Sequence, residues 1–231
     1  MTLEEKNQND ILNEFNDPNE IEFIFSDKPI NRFKTKPEVE DKISLLTKLK
    51  NDLQNIKNCE LKESAKKLVF SDGNSNSKIM IVGEGPGQKE DEVGKPFVGD
   101  AGLLLNKMLK AININRQDIY ITNVVNYRPP NNRKPEPAEI TRYSEYLRKH
   151  ISIINPKILI LMGSTAMESL FGSKIKISKG RGNWKNLIIN NKSYLTMITF
   201  HPAYLLRQPE QKKYSWTCLL YTSDAADESV S

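Results

Sequence analysis

Apolar residues follow two rhythms along this chain. Ile79 to Val82 and Ile158 to Met162 are unbroken apolar runs, closed by Gly83 and Gly163. Short runs bounded by glycine predict strands buried on both faces. Ile119 to Val125 predicts another strand, and Leu187 to Ile189 and Tyr194 to Phe200 predict two more around the turn Asn190-Asn191. Between them the spacing is helical. Glu38 to Ile56 gathers Ile43, Leu45, Leu46, Leu49 and Leu53 near one face, and Ala101 to Ala111 turns Leu104, Leu105, Met108 and Leu109 inward. Ala138 to Ile154, behind Pro137, is a long amphipathic helix, and Thr165 to Phe171 a short one. Strand and helix alternation predicts an α/β fold, a three-layer α/β/α sandwich around a central, mostly parallel, four-stranded sheet. Ligands of such sheets sit beyond the C-terminal strand ends. Unusual loops begin there near Gly83, Asn126 and His201.

The ends of the chain read differently. Residues 1–37 are charged with scattered apolar positions, which predicts a flexible segment. Asn58 to Asn76 is a polar connector holding the short apolar piece Leu68 to Phe70. Cys218 to Glu228 lacks periodicity and matches the translation of a sequencing-library adapter, so residues 217–231 are set apart as a non-native tail. Residues 38–216 remain as the folded domain.

Composition narrows the class. Mean hydropathy is -0.56, no apolar run could span a bilayer, and no signal peptide is visible, so the cytoplasm is the default compartment. A net charge of +5 favours an anionic partner, nucleic acid first, although AT-rich codons would also raise the lysine count. Cys59 and Cys218 are the only cysteines, too few for a four-thiolate site.

Three segments carry candidate chemistry. The first runs Gly83-Glu84-Gly85-Pro86-Gly87, then Glu90-Asp91, then Pro96-Phe97-Val98-Gly99. It is neither a P-loop nor a dinucleotide fingerprint, because no Gly-Lys-Ser/Thr ends it and acidic residues intervene. Its glycines bring backbone N–H groups close to a ligand, and its carboxylates share the loop with a stacking ring. The second is Thr122-Asn123 in a strand, followed by Arg128-Pro129-Pro130 and by Arg133-Lys134. Asn123 is costly in an apolar strand unless paired, either with neighbouring backbone or with the edge of a base. Arg128, Arg133 and Lys134 suit phosphate contacts or a solvated loop. The third is His201-Pro202, with Leu205, Leu206 and Arg207 after it. Exposed apolar side chains there would wedge into a base stack. His150 reads as a surface or helix-end residue.

Together, Gly-Glu-Gly-Pro-Gly with Glu90-Asp91 and Pro-Phe-Val-Gly, the Thr122-Asn123 strand with Arg-Pro-Pro, and the His201-Pro202 loop resemble the three motifs of family-four uracil-DNA glycosylases. The similarity covers about Asn58 to Trp216. It implies a monomeric enzyme of base excision repair acting on uracil-containing DNA, associated with a bacterial nucleoid. It also implies roles. Glu84 orients water and His201 stabilises the leaving base, with Glu90 or Asp91 as alternatives for the carboxylate task. Gly85, Gly87, Phe97 and Asn123 hold the base. Arg128, Arg133, Lys134, Leu205, Leu206 and Arg207 contact DNA. The chain departs from the family in its cysteines. Typical members hold a [4Fe–4S] cluster on four, whereas Tyr143-Ser144 stands where one is expected, so no iron–sulfur cluster and no metal is predicted. A related branch captures product through a histidine, and Lys179-Gly180-Arg181-Gly182-Asn183-Trp184 has none. Rival readings are a non-catalytic DNA- or nucleotide-binding protein, a Mg²⁺-dependent nucleotide hydrolase, and a glycosylase for another deaminated base.

Overall fold

The computed structural model describes residues 41–228 apart from Ile175, and side chains as far as Leu220. The expectation for residues 1–37 lies outside the described residues. The described residues fall in one compact unit, which carries the fold.

Two helices, α1 (Lys42–Gln54) and α2 (Glu60–Ser64), lead into a sheet of six strands. These are β1 (Asp72–Gly73), β2 (Ile79–Gly83), β3 (Tyr120–Asn123), β4 (Ile158–Met162), β5 (Trp184–Ile189) and β6 (Lys192–Thr199). Their order is β1-β3-β2-β4-β6-β5. The four inner strands are parallel, as the buried runs require, while β1 and β5 add antiparallel edges. The sheet therefore has two strands more than the expected four. The sixth is β1, only two residues of the polar connector, held by pairing with β3 rather than by any apolar pattern.

Helices cover both faces. Between β2 and β3 lie α3 (Gln88–Val93) and α4 (Asp100–Lys110); between β3 and β4 lies α5 (Pro137–Ile154). Pro137 opens α5, where its missing N–H costs nothing, and Asn155 closes it at φ 55°. Next come α6 (Ser164–Phe171) and α7 (Ile177–Gly180), then, after β6, α8 (Pro202–Arg207) and α9 (Lys212–Glu228). Residues of β2 alternate between two cores. Met80 and Val82 join Leu53, Tyr143 and Leu147 on one face, and Ile79 and Ile81 join Leu105 and Leu109 on the other. The period of two in a strand makes this three-layer arrangement. Asn190 and Asn191 take φ of 49° and 61°, the left-handed pair that a tight β5–β6 hairpin needs.

One local reading changes. His150 is buried, not at the surface. It stacks on Phe70 at 4.6 Å, and its Nε2 lies 2.7 Å from the Tyr120 hydroxyl, which supplies the partner that a buried imidazole needs. Past Trp216, α9 continues and buries Cys218 and Leu219.

Candidate active site

A cavity of about 810 Å³ opens at the C-terminal ends of the four parallel strands. Phe97, Asn123 and His201, which come from three separate loops in sequence, all line it, with Glu84, Gly85, Gly87 and Glu90. Gly83 pairs directly with Asn123 across β2 and β3. A Cβ on Gly83 would lie 2.5 Å from Asn123 Oδ1 and 2.6 Å from the Phe97 ring. Bare backbone at that position lets the amide and the ring share the floor. Asn123 is 3% exposed, yet its amide makes no hydrogen bond to any described residue. The neighbouring Thr122 and Asn126 do: Thr122 Oγ1 donates to the Phe70 carbonyl, and Asn126 Nδ2 to the Val69 carbonyl. A structural asparagine in this strand would look like Asn126. Asn123 has its donor and acceptor left for whatever enters the cavity.

The loop after β2 is held by its own acids. Glu90 accepts from the backbone N–H of Gly87 (3.1 Å), Val98 (2.9 Å) and Gly99 (2.7 Å), so both its oxygens are engaged. Asp91 accepts from Lys66 and Lys67 N–H and ties the loop to the connector. Phe97 sits at φ 52°, a left-handed conformation unfavourable for an aromatic residue. Arg116 braces it. Its guanidinium donates to the Pro96 and Phe97 carbonyls at 2.6 and 3.0 Å, to Asn106 Oδ1 and to Asp72 Oδ2. Gly102 admits the same bend, since a Cβ there would lie 1.9 Å from the Phe97 carbonyl oxygen.

His201 follows β6 and caps α8. Its Nδ1 accepts from Ala203 N–H at 3.2 Å, and its ring stacks on Phe97 at 5.4 Å. A ring that accepts at Nδ1 carries its proton on Nε2 when neutral. Burial, helped by the positive charge of Arg207, lowers the imidazole to about 4, so it is neutral at pH 7. Glu84 receives a 2.5 Å hydrogen bond from Thr165 Oγ1, a fully buried hydroxyl in α6. Gly163, at φ 95°, ends β4 against His201; a Cβ there would be 3.1 Å from His201 Cβ.

The cations expected to meet DNA are unequal. Arg133 forms two hydrogen bonds with Glu139, at 2.8 and 2.7 Å, and Lys134 an ion pair with Glu168 at 3.3 Å. Arg128 Nε donates to Asn132 Oδ1. Arg133 and Arg207 reach the cavity, whereas Arg128 and Lys134 do not line it. Leu206 is 45% exposed, but Leu205, expected on the surface, is fully buried. The loop after Pro202 is helical, and one turn of helix sends adjacent side chains to different faces. Sequence reasoning passed over Thr165 and Arg116, which carry no local mark because their partners lie 81 and 10 to 44 residues away.

Cys59 is buried with its Sγ 3.3 Å from the Tyr143 hydroxyl, and Cys218 lies on α9 beside Gly182. Among the described residues no three of His, Cys, Asp and Glu assemble as metal ligands. The donors present around Cys59 are phenols and a lone thiol, which do not fit a four-thiolate cluster.

The Uracil DNA glycosylase superfamily profile matches residues 70–222. A type-4 uracil-DNA glycosylase of Thermotoga maritima is 44% identical over 150 residues, 64% of this chain and 77% of that protein. One of Sulfurisphaera tokodaii is 41% identical over 73% of this chain and 79% of its own. A type-5 uracil-DNA glycosylase of Pyrobaculum aerophilum reaches only 26% over 57% of this chain and 63% of its own, which sets the type-4 proteins nearer. With its three motifs converging on one cavity at the strand ends, this chain belongs to the uracil DNA glycosylase superfamily.

Proposed function

We infer that the protein is a uracil-DNA glycosylase, hydrolysing the bond between uracil and deoxyribose in DNA and so beginning base excision repair. The observation that carries this reading is the buried Asn123 amide, unpaired within the protein and open to a cavity it shares with Phe97 and His201. The flipped nucleotide enters there, because a base inside a duplex is out of reach. Uracil stacks on Phe97. The Asn123 amide accepts from its N3–H and donates to its O4. Cytosine presents the reverse pattern and leaves the amide mispaired, a strong basis for discrimination.

As the C1′–N1 bond breaks, its electron pair passes to uracil and charge builds on O2. The Nε2–H of neutral His201 donates to that oxygen; one such donor is worth roughly 3 kcal/mol in the transition state. Water adds to C1′, and Glu84, held by Thr165, orients it and accepts its proton. Glu90 and Asp91, with their oxygens on backbone N–H groups, shape the loop and leave the water to Glu84. Gly87 gives its N–H to Glu90, which leaves Gly85 as the glycine whose backbone approaches the base. Arg207 and Leu206 face the DNA beside the mouth. No metal enters this scheme, and the Cys59–Tyr143 contact in place of a thiolate set supports turnover without an iron–sulfur cluster. The enzyme acts as a monomer on nucleoid DNA.

Single- and double-stranded uracil oligonucleotides incubated in EDTA test the reading. Wild type generates abasic sites, and Asn123→Ala and His201→Ala each lose at least about tenfold in rate. Absence of abasic sites with wild type, or activity abolished by EDTA, refutes it.

A further inference from the structure

Three arginines line the cavity, Arg133, Arg181 and Arg207, and Arg207 is exposed at the end of α8. Arg116 spends its donors on carbonyls and Asp72, and Arg133 is paired with Glu139. Arg181 differs. It lines the cavity from the turn after α7, between Gly180 and Gly182. Aromatic rings fix its guanidinium: Phe200 lies 4.9 Å away and Tyr214 4.1 Å. A cation over two rings is restrained without using its N–H groups. Those groups meet no carboxylate and no hydrogen-bond acceptor among the described residues, and Nε is shut off from solvent without a partner. A half-buried, immobilised cation with five unspent donors is costly unless an anion completes it. Phe200, which touches Arg181, directly precedes His201 in the chain, and all three line the same cavity.

We propose that Arg181 is a phosphate site, taking the backbone phosphodiester next to the flipped deoxyuridine. The proposal rests on the glycosylase reading of the cavity and adds the anchor that reading lacks. The planar fork suits two phosphate oxygens, and its contact fixes the sugar while Asn123 fixes the base. Its one local mark is an arginine between two glycines, in a chain where the basic pair Arg133-Lys134 is internally paired.

The test uses the full chain and single-stranded uracil oligonucleotides carrying one neutral methylphosphonate, either 5′ or 3′ of the deoxyuridine. With wild type, one of the two positions raises KM about tenfold while kcat stays within about threefold, the loss expected for a charge-assisted contact. Arg181→Gln raises KM similarly on the unmodified strand, and that methylphosphonate then adds nothing. The slope of log KM against log salt falls by about 0.7, the value for one phosphate on a single strand. Arg181→Lys recovers part of the slope. A methylphosphonate penalty that persists in Arg181→Gln overturns the proposal, as does a wild type indifferent to both positions. So does a variant that loses kcat and melting temperature with KM and slope unchanged, which is the behaviour of a brace for Phe200. Wild type that releases no uracil from any strand removes the glycosylase reading itself, and that result is seen before any variant is compared.

Discussion

Gly83→Ala adds one methyl group where the site has no room for it. The new Cβ would stand 2.5 Å from Asn123 Oδ1 and 2.6 Å from Cε2 and Cζ of Phe97. Carbon atoms prefer about 3.5 to 4.0 Å, so something must retreat by roughly 1 Å. The strand cannot, because Gly83 pairs with Asn123 on β3 and the residues before it pair with β4. The backbone at Phe97 cannot either, since Arg116 grips its carbonyl. The Asn123 amide and the Phe97 ring therefore move, and these are the groups proposed to hold the base. A misplacement of about 1 Å costs on the order of 100-fold in rate, and overpacking of a tight interior costs about 1 to 3 kcal/mol in stability. Uracil release at subsaturating substrate reads the first, and a urea midpoint the second. The loss should shrink in an Asn123→Ala background, where the displaced amide is already gone. Gly83→Ala with kcat/KM within about threefold of wild type would refute the claim that Asn123 and Phe97 form the base-binding floor.

Other expected outcomes follow from single contacts. Thr165→Val leaves Glu84 without its donor; kcat falls about tenfold with KM little changed, and Thr165→Ser restores most of it, as steady-state kinetics will show. Arg116→Met frees the strained Phe97 turn, raising KM for uracil DNA and lowering the melting temperature together. Acid stability follows the two histidines, His150 at about 3 and His201 at about 4, both lowered by burial. Between pH 6.5 and 5 the unfolded chain takes up protons that the folded chain refuses, so stability falls with pH by up to about 1.4 kcal/mol per unit for each histidine. Above pH 6.5 the effect is absent; urea midpoints at pH 7, 6 and 5 measure it, and an unchanged midpoint contradicts it. Cys59→Ser keeps a hydrogen-bonding group beside Tyr143 and retains uracil release, with no iron detected in either protein by elemental analysis.

What could be read from the sequence was what is local. Ile79 to Val82 and Ile158 to Met162 announce buried parallel strands because both faces of each are covered. Pro137 and the Asn190-Asn191 turn mark their boundaries through backbone preference alone. The motif residues Phe97, Asn123 and His201 share a cavity for the same reason: each follows or ends a strand of one parallel sheet. What escaped depends on pairing across the chain. β1 exists only through β3, His150 is tolerated in the core only because Tyr120 meets it, and Leu205 turns inward only once Pro202 starts a helix. Charge was the least legible. Arg133 and Arg181 are alike in sequence, and only their neighbours, Glu139 for one and two rings for the other, separate a paired cation from an uncommitted one.

The strand order explains why this site needs two glycines. Asn123 ends β3 and His201 follows β6, with β2 and β4 between them. At about 4.8 Å per strand, three steps set the two backbones roughly 14 Å apart. Side chains reaching inward from both sides shorten that span to one that a single pyrimidine can bridge. In the proposed complex the two middle strands lie beneath the base, and side chains at their ends would displace the groups around it. Gly83 ends β2 and Gly163 directly follows β4: a Cβ at Gly83 strikes Asn123 and Phe97, and one at Gly163 crowds His201. In the proposed reaction the outer pair of parallel strands thus supplies the groups that read and activate the base, and the inner pair supplies space. Beyond the glycines the inner strands add the proposed water-orienting part, Glu84 from the loop after β2 and Thr165 from the helix after β4, joined by one hydrogen bond. On the proposed reading the base-contacting groups sit on the outer strands and the water-orienting pair on the inner ones, so a substitution at a middle strand end should disturb both at once, while one at Asn123 or His201 should disturb its own part.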